Sequence, residues 1–150
     1  MKNHIIIFMA LTALMTCGCK SHKKALVTVQ PEFQPEEVWV LTAMREKEVV
    51  YQEGQRRCTI QVNPEAGTFS GCSGCNRYFG TFTDLGGGRF QLTDFNGTKM
   101  ACPAEFMKLE SSYMQLLRRA DTYSIGEYTL DLLQDGKVLL TFAKQQSEKE

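Results

Sequence analysis

Four cysteines are the residues of this chain whose type and spacing could do chemistry. Cys72 and Cys75 form a Cys-x-x-Cys pair in a glycine-rich stretch, and Cys58 and Cys102 stand singly on either side of it. This spacing can serve thiol–disulfide exchange, half of a zinc site, or structural disulfides. His22 is the last histidine in the sequence, so the remainder lacks the usual general base and the imidazole metal ligand.

Two of these three chemistries fit the sequence poorly. A redox pair needs its first cysteine at a helix amino terminus, which lowers the thiol pKa, but Cys72-Ser73-Gly74-Cys75 lies between predicted strands. A zinc site with four cysteines normally uses two closely spaced pairs. We therefore expect no metal, no cofactor and no catalytic residue. Thiol–disulfide exchange through Cys72-Ser73-Gly74-Cys75 remains the alternative function.

Structural disulfides are the first expectation, and the predicted strand register suggests one pairing. Two strand-like segments flank the loop 63–67. If Val62 faces Thr68 across that loop, Cys58 faces Cys72, at a separation that a disulfide can bridge. This register favours one of the three possible connectivities, with Cys58 bonded to Cys72.

The same connectivity leaves Cys75 to bond Cys102. Such a bond would tie the central turn, Ser73 to Arg77, to the start of the predicted helix. In this interpretation all four cysteines are structural, and their two disulfides cross-link segments of the fold.

The elements that must position these cysteines follow from hydrophobic periodicity. A strand is predicted over residues 38–44, and a helix begins near Pro103. The buried stripe of that helix comprises Phe106, Leu109, Tyr113, Leu116 and Leu117.

The last predicted hairpin turns at Asp135-Gly136. A three-residue loop with Gly136 as a bulge opposes Leu132 to Val138, and this register keeps the apolar residues on one face.

The amino terminus is predicted to be a targeting segment. Residues 1–18 combine Lys2 with a short apolar run, which is typical of a signal peptide. The run ends at Gly18-Cys19, which resembles the lipobox that precedes the lipid-bearing cysteine of bacterial lipoproteins. Cys19 is the expected lipid anchor and Cys17 the alternative; a soluble secreted protein cut nearby is the other possibility.

The remaining boundaries follow from composition. Residues 19–36 carry three lysines, two prolines and several polar residues, which predicts a tether; residues 37–144 are predicted to form one domain, and residues 145–150 a polar tail. The 17 basic and 17 acidic residues balance, so no nucleic-acid partner is expected. Possible binding residues are Asn76 and Arg77 on the central turn and Trp39, the only tryptophan. A local structural role is the main interpretation of all three.

Four stretches of the chain form a specific pattern. In chain order they are Trp39-x-Leu41; Ser70-Gly71-x-x-Gly74-Cys75-Asn76-Arg77-Tyr78-Phe79-Gly80; Thr98-Lys99-Met100-Ala101-Cys102; and Leu130-x-Leu132 before a strand that holds Phe142. The pattern resembles the META domain family, also called HslJ-like, over roughly residues 37–143.

The resemblance implies an α+β fold: a strongly curved, barrel-like antiparallel β-sheet with one main α-helix, here stapled by disulfides. Cys75 and Cys102 occupy the two typical cysteine positions of the family, which supports their pairing, and Cys58 and Cys72 are an extra pair found in some members. The family has no established catalytic residues and is associated with the bacterial envelope and the stress response.

We therefore expect a non-enzymatic lipoprotein that faces the periplasm, anchored to a membrane through its lipid and monomeric. It would bind an unidentified envelope protein or support envelope integrity. A small-ligand carrier with a cavity lined by Trp39 and tyrosines is a further alternative.

Overall fold

The computed structural model describes residues 32–146. The predicted signal peptide, with Cys17 and Cys19, lies outside this range, as do most of the tether and residues 147–150. The elements in chain order are β1 (Trp39–Met44), β2 (Lys47–Glu48), β3 (Cys58–Asn63), β4 (Thr68–Ser73), β5 (Arg77–Gly86), β6 (Arg89–Gly97), α1 (Ala104–Leu117), β7 (Thr122–Ile125), β8 (Thr129–Gln134) and β9 (Lys137–Lys144).

The strands form one antiparallel sheet that closes on itself. The order is β2-β1-β3-β4-β5-β6-β7-β8-β9, and β1 also pairs with β9 along most of its length. Pairing of the first long strand with the last gives a ring, so neither carries a long unpaired edge. The predicted α+β class, with a strongly curved antiparallel sheet and one main helix, is confirmed. None of the helices within 32–146 is long and apolar enough to cross a membrane.

The ring is weakest between β6 and β7, and the end of α1 lies at this joint. The two strands pair only at Arg89 and Thr122. Beyond that point the guanidinium of Arg118, which follows α1, lies 3.9 Å from the centre of the Phe95 ring on β6. A cation over an aromatic face is attracted by the ring quadrupole, so Arg118 helps to hold the helix against β6.

Alternation along the strands builds the core inside the ring. In β3 the inward residues Cys58, Ile60 and Val62 are each at most 1% exposed. The helix adds its predicted stripe, of which Tyr113, Leu116 and Leu117 are buried. The packed domain begins earlier than residue 37: Phe33, predicted as tether, is buried against Tyr123 and Phe82, at ring-centre distances of 4.7 and 5.7 Å.

The β3–β4 register differs by one residue from the prediction. Val62 opposes Phe69 rather than Thr68, and the loop between the strands is therefore four residues long, 64–67. Two features fit this shorter loop: the Asn63 side chain accepts a hydrogen bond from the Ala66 amide at 2.9 Å, and Gly67 adopts a positive φ of 62°. The register puts Phe69, rather than Thr68, on the buried face.

The predicted β8–β9 loop is also wrong. Gln134 pairs with Lys137 across a two-residue turn, and the extra residue is Leu139 within β9, because Leu133 opposes Val138 and Leu132 opposes Leu140. A bulge inside the strand restores the buried face that a two-residue turn would otherwise split. The principle of a continuous apolar face was correct, but the bulge is not in the turn.

A tyrosine hydroxyl completes the pairing around β1. β3 pairs with the start of β1 and β2 with its end, which leaves a gap at Leu41. The Tyr51 hydroxyl donates a hydrogen bond to the Leu41 carbonyl at 2.9 Å and accepts one from the Cys58 amide at 3.1 Å. Burial raises the pKa of Tyr51, so the hydroxyl remains a donor at any physiological pH. This side chain therefore fixes the start of β3, where Cys58 lies.

Candidate functional site

The central turn, Ser73 to Arg77, connects β4 to β5 and is attached covalently to the segment before α1. Cys75 is disulfide-bonded to Cys102, with their α-carbons 6.1 Å apart. Gly74 has a φ of 98°, a conformation that a side chain would strain. The predicted Cys75–Cys102 bond is thus present in the structure.

Asn76 is the centre of a buried hydrogen-bond cluster in this turn. The residue is 6% exposed. Its side-chain oxygen accepts hydrogen bonds from the Met100 amide at 2.7 Å and the Thr98 hydroxyl at 2.8 Å, and its side-chain nitrogen donates to Glu110 at 3.0 Å. Both polar atoms of the side chain are therefore used within the protein, as the structural interpretation of Asn76 predicts.

Glu110, in the middle of α1, supplies the acceptor that completes the cluster. Its carboxylate accepts hydrogen bonds from the Ser73 hydroxyl at 2.7 Å and the Asn76 amide at 2.9 Å, besides the Asn76 side chain. A partly buried carboxylate is costly unless such donors replace its water. Sequence reasoning missed this residue, because a glutamate in mid-helix usually faces solvent.

Arg77 lies at the edge of this cluster and is exposed. Its amide donates to the Thr98 hydroxyl at 3.1 Å, and its side chain borders a cleft of about 220 Å³. Lys99, Arg118 and Phe95 also line that cleft. Arg77 is the only one of the three predicted binding residues that has an exposed side chain at the central turn.

Trp39 is separate from this surface. It lies in β1, is 1% exposed and belongs to the continuous core of the barrel. The structure therefore brings Asn76 and Arg77 together but places Trp39 elsewhere. Burial of Trp39 in a packed core disfavours the carrier alternative, which needs this ring at the wall of a cavity.

The predicted Cys58–Cys72 disulfide is wrong, because the register differs by one residue. Cys58 opposes Ser73, and Cys72 opposes Thr59, so the two cysteines point to opposite faces of the sheet and are unbonded. Cys58 is fully buried. Burial, together with the nearby Cys72, raises its thiol pKa to about 12, which makes it a poor nucleophile.

A pair of buried tyrosines explains the glycine on β4. The hydroxyls of Tyr78 and Tyr113 lie 2.6 Å apart, and that of Tyr78 donates to the Thr59 carbonyl at 2.6 Å. Burial raises the pKa of both tyrosines. A β-carbon on Gly71 would lie 2.0 Å from that carbonyl and 2.6 Å from the Tyr78 hydroxyl, so only glycine fits.

The cluster predicts a large effect of a nearly isosteric change in the helix. Glu110→Gln keeps the shape but replaces one accepting oxygen with a donor that faces the donors of Ser73 and Asn76. We expect a loss of about 1–3 kcal/mol in the free energy of unfolding, measured by urea denaturation. Glu65→Gln, at an exposed loop position, is the control and should change it by less than about 0.5 kcal/mol. Equal effects of the two changes would show that the cluster contributes little.

Comparisons with known proteins agree with this architecture. An NMR structure of a protein from Burkholderia xenovorans is similar, with a TM-score of 0.59 and 24% identity, covering 84% of this chain and 98% of that one. A second protein solved by NMR has a TM-score of 0.55 and 21% identity, covering 73% of this chain and 89% of that one. These likenesses concern the fold. No curated protein matches the sequence significantly.

The family model for the META domain matches residues 31–147. That match covers most of the chain, includes Phe33 at its start and contains all four cysteines of the folded part. The chain therefore belongs to the META domain family.

Proposed function

We propose that this protein is a lipid-anchored module of the bacterial envelope that faces the periplasm and acts by binding rather than by catalysis. Membership of the META domain family suggests a non-enzymatic, envelope-associated protein, and the META domain is not a known enzyme family. To this the proposal adds two specific features: a lipid on Cys19 and a binding role toward an envelope component.

The central turn is the single observation that supports binding over thiol exchange. An exchange motif needs Cys72 and Cys75 to bond each other, but Cys75 is already bonded to Cys102. Formation of a Cys72–Cys75 bond would release Cys102 and disturb the adjacent Asn76, whose side chain is held by Glu110. Because the disulfide and the hydrogen bonds to Glu110 hold the turn in place, they favour a structural role for its cysteine over a redox role.

The proposed anchor rests on the sequence before the domain. Gly18-Cys19 follows a short apolar run, which fits a lipoprotein signal. The segment from Cys19 to Phe33 would span about 50 Å if fully extended, since each residue adds at most ~3.6 Å. A tether of that reach would keep the domain close to the membrane that holds the lipid. A single lipid chain binds a membrane weakly and reversibly, whereas two or more chains give stable attachment.

The anchor predicts specific results from lipid labelling of the full chain. Cells that express it are grown with an alkyne-bearing fatty acid, and the label is read on gels of membrane and soluble periplasmic fractions. We expect label on the wild type and on Cys17→Ala, and its loss, with release from the membrane, in Cys19→Ala. Loss in Cys17→Ala alone would move the anchor to Cys17. An unlabelled, soluble wild type would contradict the anchor.

The static turn predicts the state of each cysteine in protein taken from the periplasm. Non-reducing peptide mass spectrometry should find Cys75 bonded to Cys102. Alkylation at pH 8 should modify the partly exposed Cys72 in the folded protein, but Cys58 only after denaturation, because burial raises its pKa to about 12. A Cys72–Cys75 bond would support the thiol-exchange alternative, and a Cys58–Cys72 bond would contradict the β3–β4 register.

A further inference from the structure

A surface cleft of about 580 Å³ lies between two turns of the barrel, away from the central turn. The β1–β2 turn forms one side, the β8–β9 turn forms the other, and Arg119, just after α1, also lines it. The lining residues are Arg45, Glu46, Arg119, Gln134, Asp135, Gly136, Lys137, Val138 and Leu139. Its volume is within the range of about 300–1,000 Å³ that is usual for small-molecule sites.

The two turns have the same length but very different sequences. Asp135-Gly136 has φ values of 50° and 71°, and an aspartate followed by glycine is among the preferred pairs for this left-handed turn. The β1–β2 turn has φ values of 47° and 65° but contains Arg45-Glu46, two residues with long side chains. The backbone at these two positions is strained, and strain of this kind is often retained where side chains have a function.

The position of the strained turn is fixed against the opposite wall. The Arg45 amide donates a hydrogen bond at 2.9 Å to the carbonyl of Leu139, the residue of the β9 bulge. This bond continues the β1–β9 ladder by one residue beyond the Met44–Leu140 pair, so the backbone of Arg45 is fixed relative to β9.

The cleft carries a small excess of positive charge. Its lining has three cationic residues, Arg45, Arg119 and Lys137, and two acidic ones, Glu46 and Asp135, which leaves one positive charge in excess. Within residues 32–146, the salt bridge that forms joins Lys144 to Glu37, so none of these five side chains is held in an ion pair with another described residue. The Arg119 Nε donates to the Gln134 side chain at 3.1 Å, which orients the guanidinium and leaves its terminal nitrogens as donors.

We infer that this cleft binds a small organic anion through a carboxylate or phosphate group. Arg45 and Arg119 would supply paired donors of the kind that recognise these groups in a bidentate manner, and Lys137 would add a third charge. Val138, which is half-buried, provides an apolar surface for the rest of the ligand. This inference rests on the proposed binding role and names its ligand class, but it does not depend on the lipid anchor.

The test is calorimetric titration of the full chain in detergent with four probes: inorganic phosphate, glucose 6-phosphate, glucuronate and glucose. Binding of glucuronate alone assigns the site to carboxylates, and binding of glucose 6-phosphate to phosphates. Binding of inorganic phosphate as well shows that the phosphate group suffices. Neutral glucose should not bind in any of these cases. Absence of binding by all three anions would overturn the inference.

The decisive variant replaces the strained turn with a preferred pair. Arg45→Asn/Glu46→Gly removes both side chains while the backbone conformation becomes favourable, so the melting temperature should rise. Affinity for the bound anion should nevertheless fall at least tenfold. Arg119→Gln should also weaken binding. The control, Arg56→Asn, changes an exposed arginine outside the cleft and should leave affinity unchanged.

A double variant that is more stable and binds more weakly supports a turn retained for its side chains. An affinity equal to that of the wild type would remove Arg45 from the site and overturn the inference. If the melting temperature falls instead, the strain argument is wrong and Arg119→Gln decides: an affinity of that variant equal to the wild type's would overturn the inference. Soluble protein without lipid label would refute the anchor and leave these binding results standing.

Discussion

The carboxylate of Glu110 is the group on which the central part of this structure depends. It takes hydrogen bonds from Ser73 and Asn76, and so connects the middle of the helix to the turn between β4 and β5. The Asn76 side chain accepts a hydrogen bond from the Met100 amide, which links the turn to the segment before the helix. The Cys75–Cys102 disulfide joins the same two segments covalently. The turn between β4 and β5 therefore meets the helix and the segment before it, both distant from the turn in sequence, at one polar cluster.

The cluster and the disulfide together explain why Cys75 has a structural role in this fold. Cys75, which could have formed a redox motif with Cys72, is bonded to Cys102 and holds a turn. The buried thiol of Cys58 has a pKa raised to about 12, far from the range of reactive cysteines. The proposed recognition site lies elsewhere, at the strained β1–β2 turn and the cleft beside it. A rigid barrel with exposed charged turns is a common solution for binding, because the scaffold fixes the loops that carry it.

Hydrophobic periodicity and the family pattern predicted much of this fold. The helix stripe around Tyr113, the curved antiparallel sheet and the Cys75–Cys102 bond follow from residue types and motifs that are visible in the sequence. Strand register does not, because it depends on where a loop or bulge takes up one residue: the β3–β4 loop proved one residue shorter, and the β9 bulge lies at Leu139. Glu110 was missed because its donors come from residues more than 30 positions away.

The most direct test of the central cluster is native-state hydrogen exchange at two amides. The amides of Asn76 and Met100 donate to side chains, Glu110 and Asn76 respectively, rather than to a strand partner. If the cluster holds the turn, both should exchange as slowly as the amide of Ile60 in the core strand β3, by global unfolding. Exchange as fast as that of Gly87 at the tip of the β5–β6 hairpin would show that the cluster opens independently, and would contradict the account.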